Sequence, residues 1–180
     1  MSETKQSTLD ETTKRTRIKT PPLVIIFIVV ALPCLIIDQV TKALVVAAFE
    51  AHVPHPVLGS YLSIEVVRNP GAAFSLAEGL NWLFVIIAFI VLAWIAWTGR
   101  RTTRRAWQLS FGLIAGGAAG NLVDRLIQPP SIGRGHVIDF INYNGYFVGN
   151  IADVFIVVGV FLVVILTLAG GSPVIKDDTQ

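Results

Sequence analysis

Four stretches of this chain are long and apolar enough to cross a lipid bilayer, and they limit its fold more than any motif does. They run from about Leu23 to Phe49, Leu80 to Thr98, Trp107 to Ile127 and Ile151 to Ala169. Each meets the roughly 20 residues that a helix needs to span the hydrocarbon core. Lipid offers no partner for backbone N–H and C=O groups, so a crossing segment satisfies them internally, as a helix does. Composition points the same way. Only 14% of the 180 residues are charged, whereas a soluble domain carries about 25%. The deficit follows if lipid covers much of the surface. At this length a single domain is expected.

The first stretch follows a basic segment, and Val46-Ala47-Ala48 would suit a processing site, which raises the question of a cleaved signal peptide. Its length argues against that, because a signal core usually runs about 7–15 residues. A retained helix is expected. Basic residues then orient the chain. Residues 1–20 carry Lys5, Lys14, Arg15, Arg17 and Lys19, and the loop after the second stretch carries Arg100, Arg101, Arg104 and Arg105. The loops 50–79 and 128–150 carry only Arg68 and Arg134. The positive-inside rule puts both termini and the arginine loop in the cytoplasm, and the two longer loops outside. The expected organisation is a disordered basic tail over 1–20, a membrane domain over 21–170, and a cytoplasmic tail over 171–180.

The outer loops read differently from the spans. Tyr61–Val67 is rich in β-formers and alternates in part, so it predicts a strand, and Asn69-Pro70-Gly71 predicts a turn. His136–Ile141 predicts a second strand, Asn142-Tyr143-Asn144-Gly145 a turn, and Tyr146–Val148 a third strand. The expected fold class is a mainly α membrane protein, with four transmembrane helices and a small extracytoplasmic sheet.

Cys34 is the only cysteine, which rules out an intrachain disulfide, and it reads as a small buried hydrophobe. The chain has no zinc-ligand spacing, no HExxH, no GxSxG and no phosphate-binding glycine loop. No metal, cofactor or nucleic-acid partner is expected.

Ionisable groups in membrane spans cost about 2.5–3.5 kcal/mol each on insertion scales, so those present need a reason. Asp38 and Lys42 lie one turn apart near the outer end of the first span. They read either as an ion pair that fixes helix packing or as chemical participants. Asn121, Asp124 and Arg125 share a face near the outer end of the third span. A helix-end salt bridge or cap and a role in holding substrate are both open. Gly112, Gly116 and Gly120, with Gly117 beside them, form a small-residue stripe that suits close helix packing.

Asn150 and Asp153 open the fourth span, where Asp153 suits the positive end of a helix dipole. Asp139 lies 14 residues earlier on the same side of the membrane. The intervening loop is short enough to bring the two carboxyls together. Two close carboxylates cannot both ionise easily, so they share a proton. The ionised one takes a proton from water and the protonated one donates to a scissile carbonyl, which is general acid–base hydrolysis without a covalent intermediate.

At these residues the sequence resembles lipoprotein signal peptidase (signal peptidase II), a family of aspartic endopeptidases of bacterial inner membranes. Five ordered blocks carry the resemblance: Asp38-Gln39-Val40-Thr41-Lys42, Arg68-Asn69-Pro70-Gly71-Ala72-Ala73-Phe74-Ser75, residues 117–126, Gly135–Phe140 and Asn150-Ile151-Ala152-Asp153. The resemblance implies four membrane helices, an outer β-cradle, a short amphipathic segment over the site, and Asp139 and Asp153 as the catalytic pair. It implies that Asn69, Asn121, Arg125 and Asn150 line or support the site, beside Gly71, Gly117 and Ala152. Asp38, Lys42 and Asp124 would brace it. The implied substrate is a prolipoprotein bearing a diacylglyceryl-cysteine, cut before that cysteine. Membrane lipids are implied as surroundings, globomycin as an inhibitor, and a monomer suffices.

Two departures bear on the local geometry. An aromatic commonly precedes the family's asparagine of the last block, where this chain has Gly149, and the segment between Asp139 and Asp153 is short. Two rival classes remain. A small proton-coupled transporter would also bury acids, but no internal repeat is present and the polar residues gather on one side. A non-catalytic assembly factor would need the aspartates only for folding.

Overall fold

The computed structural model describes residues 21–71 and 81–173. The basic tail, the residues after Gly71 in the second motif block, and the last part of the C-terminal tail lie outside the described residues.

Helix α1 spans Val24–Ala48. Its first part, Val24–Ala31, is wound as a π-helix, and regular α-helix begins at Leu32, next to Pro33. The missing N–H of a proline interrupts the regular ladder at that point. Along the α-helical part the buried residues are Cys34, Asp38, Lys42 and Val45, a single stripe at helical spacing. The acid–base pair therefore sits on the inward face, while Ile36, Ile37, Val40 and Leu44 are exposed on the outward one.

Helices α2 (Asn81–Gly99), α3 (Arg105–Ile127) and α4 (Ile151–Leu168) complete the bundle. Helices α1, α2 and α4 are long and apolar enough to cross a membrane. Helix α3 is as long, with 23 residues, but carries glycines and the polar group Asn121, Asp124 and Arg125. It packs against all three other helices and buries more residues than any of them. A helix shielded by its neighbours needs little apolar surface of its own.

Four antiparallel strands form a meander in the order β1 (His55–Leu58), β2 (Leu62–Asn69), β3 (Val137–Asn142) and β4 (Val148–Gly149). The three expected strands are present within a few residues of their expected limits. β1 is an addition to them, formed by a segment containing Pro56 and pairing only with β2, which is where a strand tolerates proline. β3 and β4 close through Asn144 and Gly145, both with positive φ (54° and 77°), as an Asn-Gly hairpin requires. This hairpin occupies the short segment between the two aspartates.

The sheet joins the end of α1 to the start of α2 and the end of α3 to the start of α4, so it caps one end of the bundle. The arginine-rich turn between α2 and α3 lies at the other end. Ile26, Ile95, Trp107, Phe111 and Ala115 form a core toward that far end. Val45, Val66 and Phe140 form a second cluster that ties α1 to the sheet. A polar layer lies between the two clusters.

Glycines set the helix spacing at this layer. A side-chain carbon at Gly116 would strike Cys34 and the Ala31 carbonyl of α1, and one at Gly117 the Ala152 carbonyl and Ile156 of α4. One at Gly120 would strike the Asp38 carboxylate. The small-residue stripe thus works as packing, and it faces α1 and α4 at once.

Candidate active site

Asp139 and Asp153 approach from different elements. Asp139 is 3% exposed on β3, between the buried side chains of Ile138 and Phe140. Asp153 is the third residue of α4, in a reciprocal capping box with Asn150. The Asp153 N–H donates to Asn150 Oδ1 at 3.0 Å, and the Asn150 N–H donates to Asp153 Oδ2 at 3.1 Å. This is an N-terminal cap in the usual sense. The same asparagine also donates from Nδ2 to Asp139 Oδ1 at 2.6 Å, so Asn150 touches both carboxylates.

Two further asparagines complete the surround. Asn69 Nδ2 donates to Asp139 Oδ2 at 2.8 Å, and Asn121 Nδ2 donates to Asp153 Oδ1 at 2.8 Å. Val67 lies opposite Asp139 and Asn69 opposite Val137, so Asn69 and Asp139 are diagonal neighbours on one face of the sheet. In each case the amide orientation is imposed by a group that only donates. The Gly71 N–H donates to Asn69 Oδ1 at 2.8 Å, the Asp153 N–H to Asn150 Oδ1, and the Lys42 ammonium to Asn121 Oδ1 at 3.1 Å. All three NH2 groups are thereby turned toward the acid pair. Gly71 holds φ +96°, and a side chain there would press on Asn81 and the Phe84 ring.

Beneath the pair lies a buried ion triad. Lys42 Nζ is 2.8 Å from Asp38 Oδ2 and 2.8 Å from Asp124 Oδ2. Each acid also holds a backbone N–H of the residue just before a predicted catalytic aspartate. Asp38 Oδ1 accepts from the Ala152 N–H at 3.0 Å, and Asp124 Oδ2 accepts from the Ile138 N–H at 3.1 Å. Gln39 Nε2 bridges Asp38 Oδ2, Asp124 Oδ1 and the Gly120 carbonyl at 3.1–3.2 Å. Ion-pair geometry is thus realised for Asp38 and Lys42. Asp124 pairs across the bundle with Lys42, and its neighbour Arg125 donates instead to the Asn121 carbonyl at 3.0 Å. The Arg125 guanidinium lies 5.1 Å from the centre of the Phe84 ring.

Burial pushes the Asp139 carboxyl up to about 6, and the negative charge of Asp153 adds to this. The hydrogen bonds from Asn69 and Asn150 and the charge of Lys42 act the other way. An acid in that range exchanges its proton near neutral pH, as acid–base work requires.

An apolar groove of about 340 Å³ runs between α2, α3 and α4, lined by Phe84, Ile87, Val91, Ile114, Ile156 and Val160 among others. Asn121 and Arg125 stand at its polar end. A separate polar pocket of about 190 Å³ lies on the α1 side, bounded by Gln39, Lys42, Arg68, Asp124 and Gln128.

Every site residue expected from the sequence falls in or against this layer. Gly117 and Ala152 serve as the α3–α4 seam. Gln39 and Phe84 were not singled out, although Gln39 sits in the first motif block. Gly149 leaves room beside Asp153: a side-chain carbon there would be 3.1 Å from Asp153 Oδ2 and 3.6 Å from the Phe147 ring. Phe147, two residues earlier, supplies an aromatic beside this position.

A family model described as "Signal peptidase (SPase) II" matches residues 30–169. The lipoprotein signal peptidase of Rhodococcus jostii (strain RHA1) is 42% identical over 149 residues, covering 83% of this chain and 75% of that protein. That of Mycobacterium avium (strain 104) is 43% identical over 141 residues, covering 78% of each. A solved structure titled "Bacterial membrane enzyme structure by the in meso method at 2.3 A resolution" superposes with TM-score 0.70 and 29% identity, over 85% of this chain and 93% of that one. Its apolar helices mark the protein as integral to a membrane, and these matches establish that the chain belongs to the signal peptidase II family.

Proposed function

We propose that the protein is an aspartic endopeptidase that removes the signal peptide from prolipoproteins carrying a diacylglyceryl-cysteine, cutting just before that cysteine. The observation that carries this reading is Asn150 donating to both Asp139 and Asp153, which brings two carboxyls from separate elements into one site. One of them, ionised, takes a proton from water as the water oxygen bonds to the scissile carbonyl carbon. The other, protonated, gives its proton to the carbonyl oxygen. Collapse of the tetrahedral intermediate returns a proton to the leaving cysteine nitrogen and re-forms the shared-proton pair.

All four helices cross the membrane in this reading, with α3 shielded by the others. The arginines at the far end of the bundle support a cytoplasmic position for that end and both termini, and an outer-face position for the sheet and acid pair. A lipid-anchored cysteine presents its scissile bond at that depth. The apolar groove that ends at Asn121 and Arg125 suits an apolar part of such a substrate. One chain supplies both acids, so a monomer suffices. Globomycin would compete for the same site.

The test is direct. Purified Asp139→Asn and Asp153→Asn should each fold and leave lipidated prolipoprotein uncut, and unlipidated precursor should be a poor substrate for the parent. Normal processing by either variant sinks the assignment. Ion flux in liposomes without cleavage would favour a transporter instead.

A further inference from the structure

We infer that Lys42, which hydrogen-bonds neither Asp139 nor Asp153, is a positioning residue that makes Asp153 the base and leaves the shared proton on Asp139. This rests on the acid-pair reading above and goes beyond it by assigning the two roles.

An ammonium has three protons and no acceptor. Lys42 spends its three on Asp38 Oδ2, Asp124 Oδ2 and Asn121 Oδ1. Asn121 Oδ1 also accepts from Asn150 Nδ2 at 3.0 Å. With two donors facing its oxygen, the Asn121 amide cannot turn over. Its NH2 is locked toward Asp153 Oδ1, which must accept there. The other oxygen of Asp153 accepts the Asn150 N–H. Asp153 therefore faces a donor polarised by a full positive charge, at the electropositive start of α4. Asp139 is almost fully buried and is held by two neutral amides, Asn69 and Asn150, whose own oxygens accept only from backbone N–H groups; the charges of Lys42 and Arg125 reach it through space rather than through a hydrogen bond. Negative charge is better accommodated on Asp153, and the proton on Asp139. The upward displacement of the Asp139 carboxyl to about 6 agrees with this.

Among the described residues, Asp139 on β3 and Arg125 on α3 act on Asp153 by charge, and Lys42 on α1, with its partners Asp38 and Asp124, stands behind it through Asn121. Helices α2 and α4 contribute no charged group besides Asp153 itself.

The experiment is the pH profile of kcat/KM on lipidated precursor. Asn121→Asp keeps the shape and keeps an oxygen toward Lys42, but turns a second oxygen toward Asp153. That favours a proton on Asp153, and a base that protonates more readily loses activity first at low pH. The lower limb should rise by about one pH unit or more, as for a like charge at a carboxylate. Lys42→Arg, which keeps a cationic donor, should leave the limb nearer the parent's. Because Lys42→Met alone would strand two buried acids, the second variant is the neutral triple Asp38→Asn/Lys42→Met/Asp124→Asn. It removes the positive charge behind the Asn121 amide, leaving only Asn150 Nδ2 on that oxygen, without leaving a bare charge, and its lower limb should also rise.

A merely structural role for Lys42 would lower the folded fraction or scale activity equally at every pH. Unmoved lower limbs in Asn121→Asp and the triple variant would overturn the inference. So would a rise of the upper limb with the lower one fixed, which would exchange the two roles. Cleavage by Asp139→Asn or Asp153→Asn would instead overturn the underlying acid-pair reading, so the two failures are distinguishable.

Discussion

Replacing Gly120 with alanine adds one methyl group at the seam between α1, α3 and α4. The added carbon would overlap the Asp38 carboxylate and lie 3.3 Å from the Ala152 side chain. Asp38 is fully buried and cannot swing aside without loosening its bonds to Lys42 and the Ala152 N–H. Alanine gains about 1 kcal/mol over glycine in a helix interior. Against that stand about 1–3 kcal/mol for overpacking and about 1.5–3 kcal/mol for a lost hydrogen bond to a charged group. The net expectation is a loss of about 1.5–5 kcal/mol. Ala152 precedes Asp153, so activity per folded molecule should fall as well. Gly116→Ala is the matched control: it meets Cys34 and the Ala31 carbonyl instead of the ion triad. It should lose stability while its folded fraction keeps near-parent activity. Both are read by thermal unfolding of the purified protein and by cleavage of lipidated precursor normalised to folded enzyme. A Gly120→Ala protein at least as stable as the parent, or one with unchanged specific activity, would refute the reasoning.

Three other outcomes are expected. Asp139 holds its proton to about pH 6 in the fold, while an unfolded aspartate releases it near 3.9. The folded state binds more protons across that window, so stability falls as pH rises through it, by on the order of 3 kcal/mol. Unfolding measured against pH should lose this slope in Asp139→Asn. Asn150→Ala removes the α4 cap at a cost of about 1–2 kcal/mol and the side-chain donor to Asp139, while its backbone N–H still reaches Asp153, so cleavage should fall by about 100-fold or more. Asn150→Asp should restore the cap in a melting experiment without restoring cleavage, because it lacks the NH2 that reaches Asp139. Arg68 is exposed and bonds only Gln128 among the described side chains, so Arg68→Ala should change stability by no more than about 0.5 kcal/mol.

The helices were legible because a bilayer imposes a length, and each sequence-derived span agrees with its helix within a few residues over the described part. The α4 cap was legible too, since Asn150 and Asp153 stand at capping-box spacing. β1 was missed because His55-Pro56-Val57-Leu58 has no clean alternation, and an edge strand needs only one partner. The partner of Asp124 was beyond local reasoning. Lys42 lies on another helix, and no spacing rule joins positions brought together by a glycine seam. The meeting of Asp139 with Asp153 was only permitted by the sequence. The β2–β3 register and the double use of Asn150 account for it in the structure.

The ion triad also bears on how the chain is made. Asp38 and Lys42 are one turn apart on α1 and 2.8 Å from each other. The first helix can therefore enter the bilayer with its charges already compensated, although each alone would cost about 2.5–3.5 kcal/mol. Asp124 joins only when the third helix arrives. The bond from Asp38 to the Ala152 N–H spans 114 residues of chain, so it waits for the last helix to be synthesised. A nascent chain still lacking that helix holds a compensated lysine, but Asp139 has no Asp153 beside it until α4 is in place.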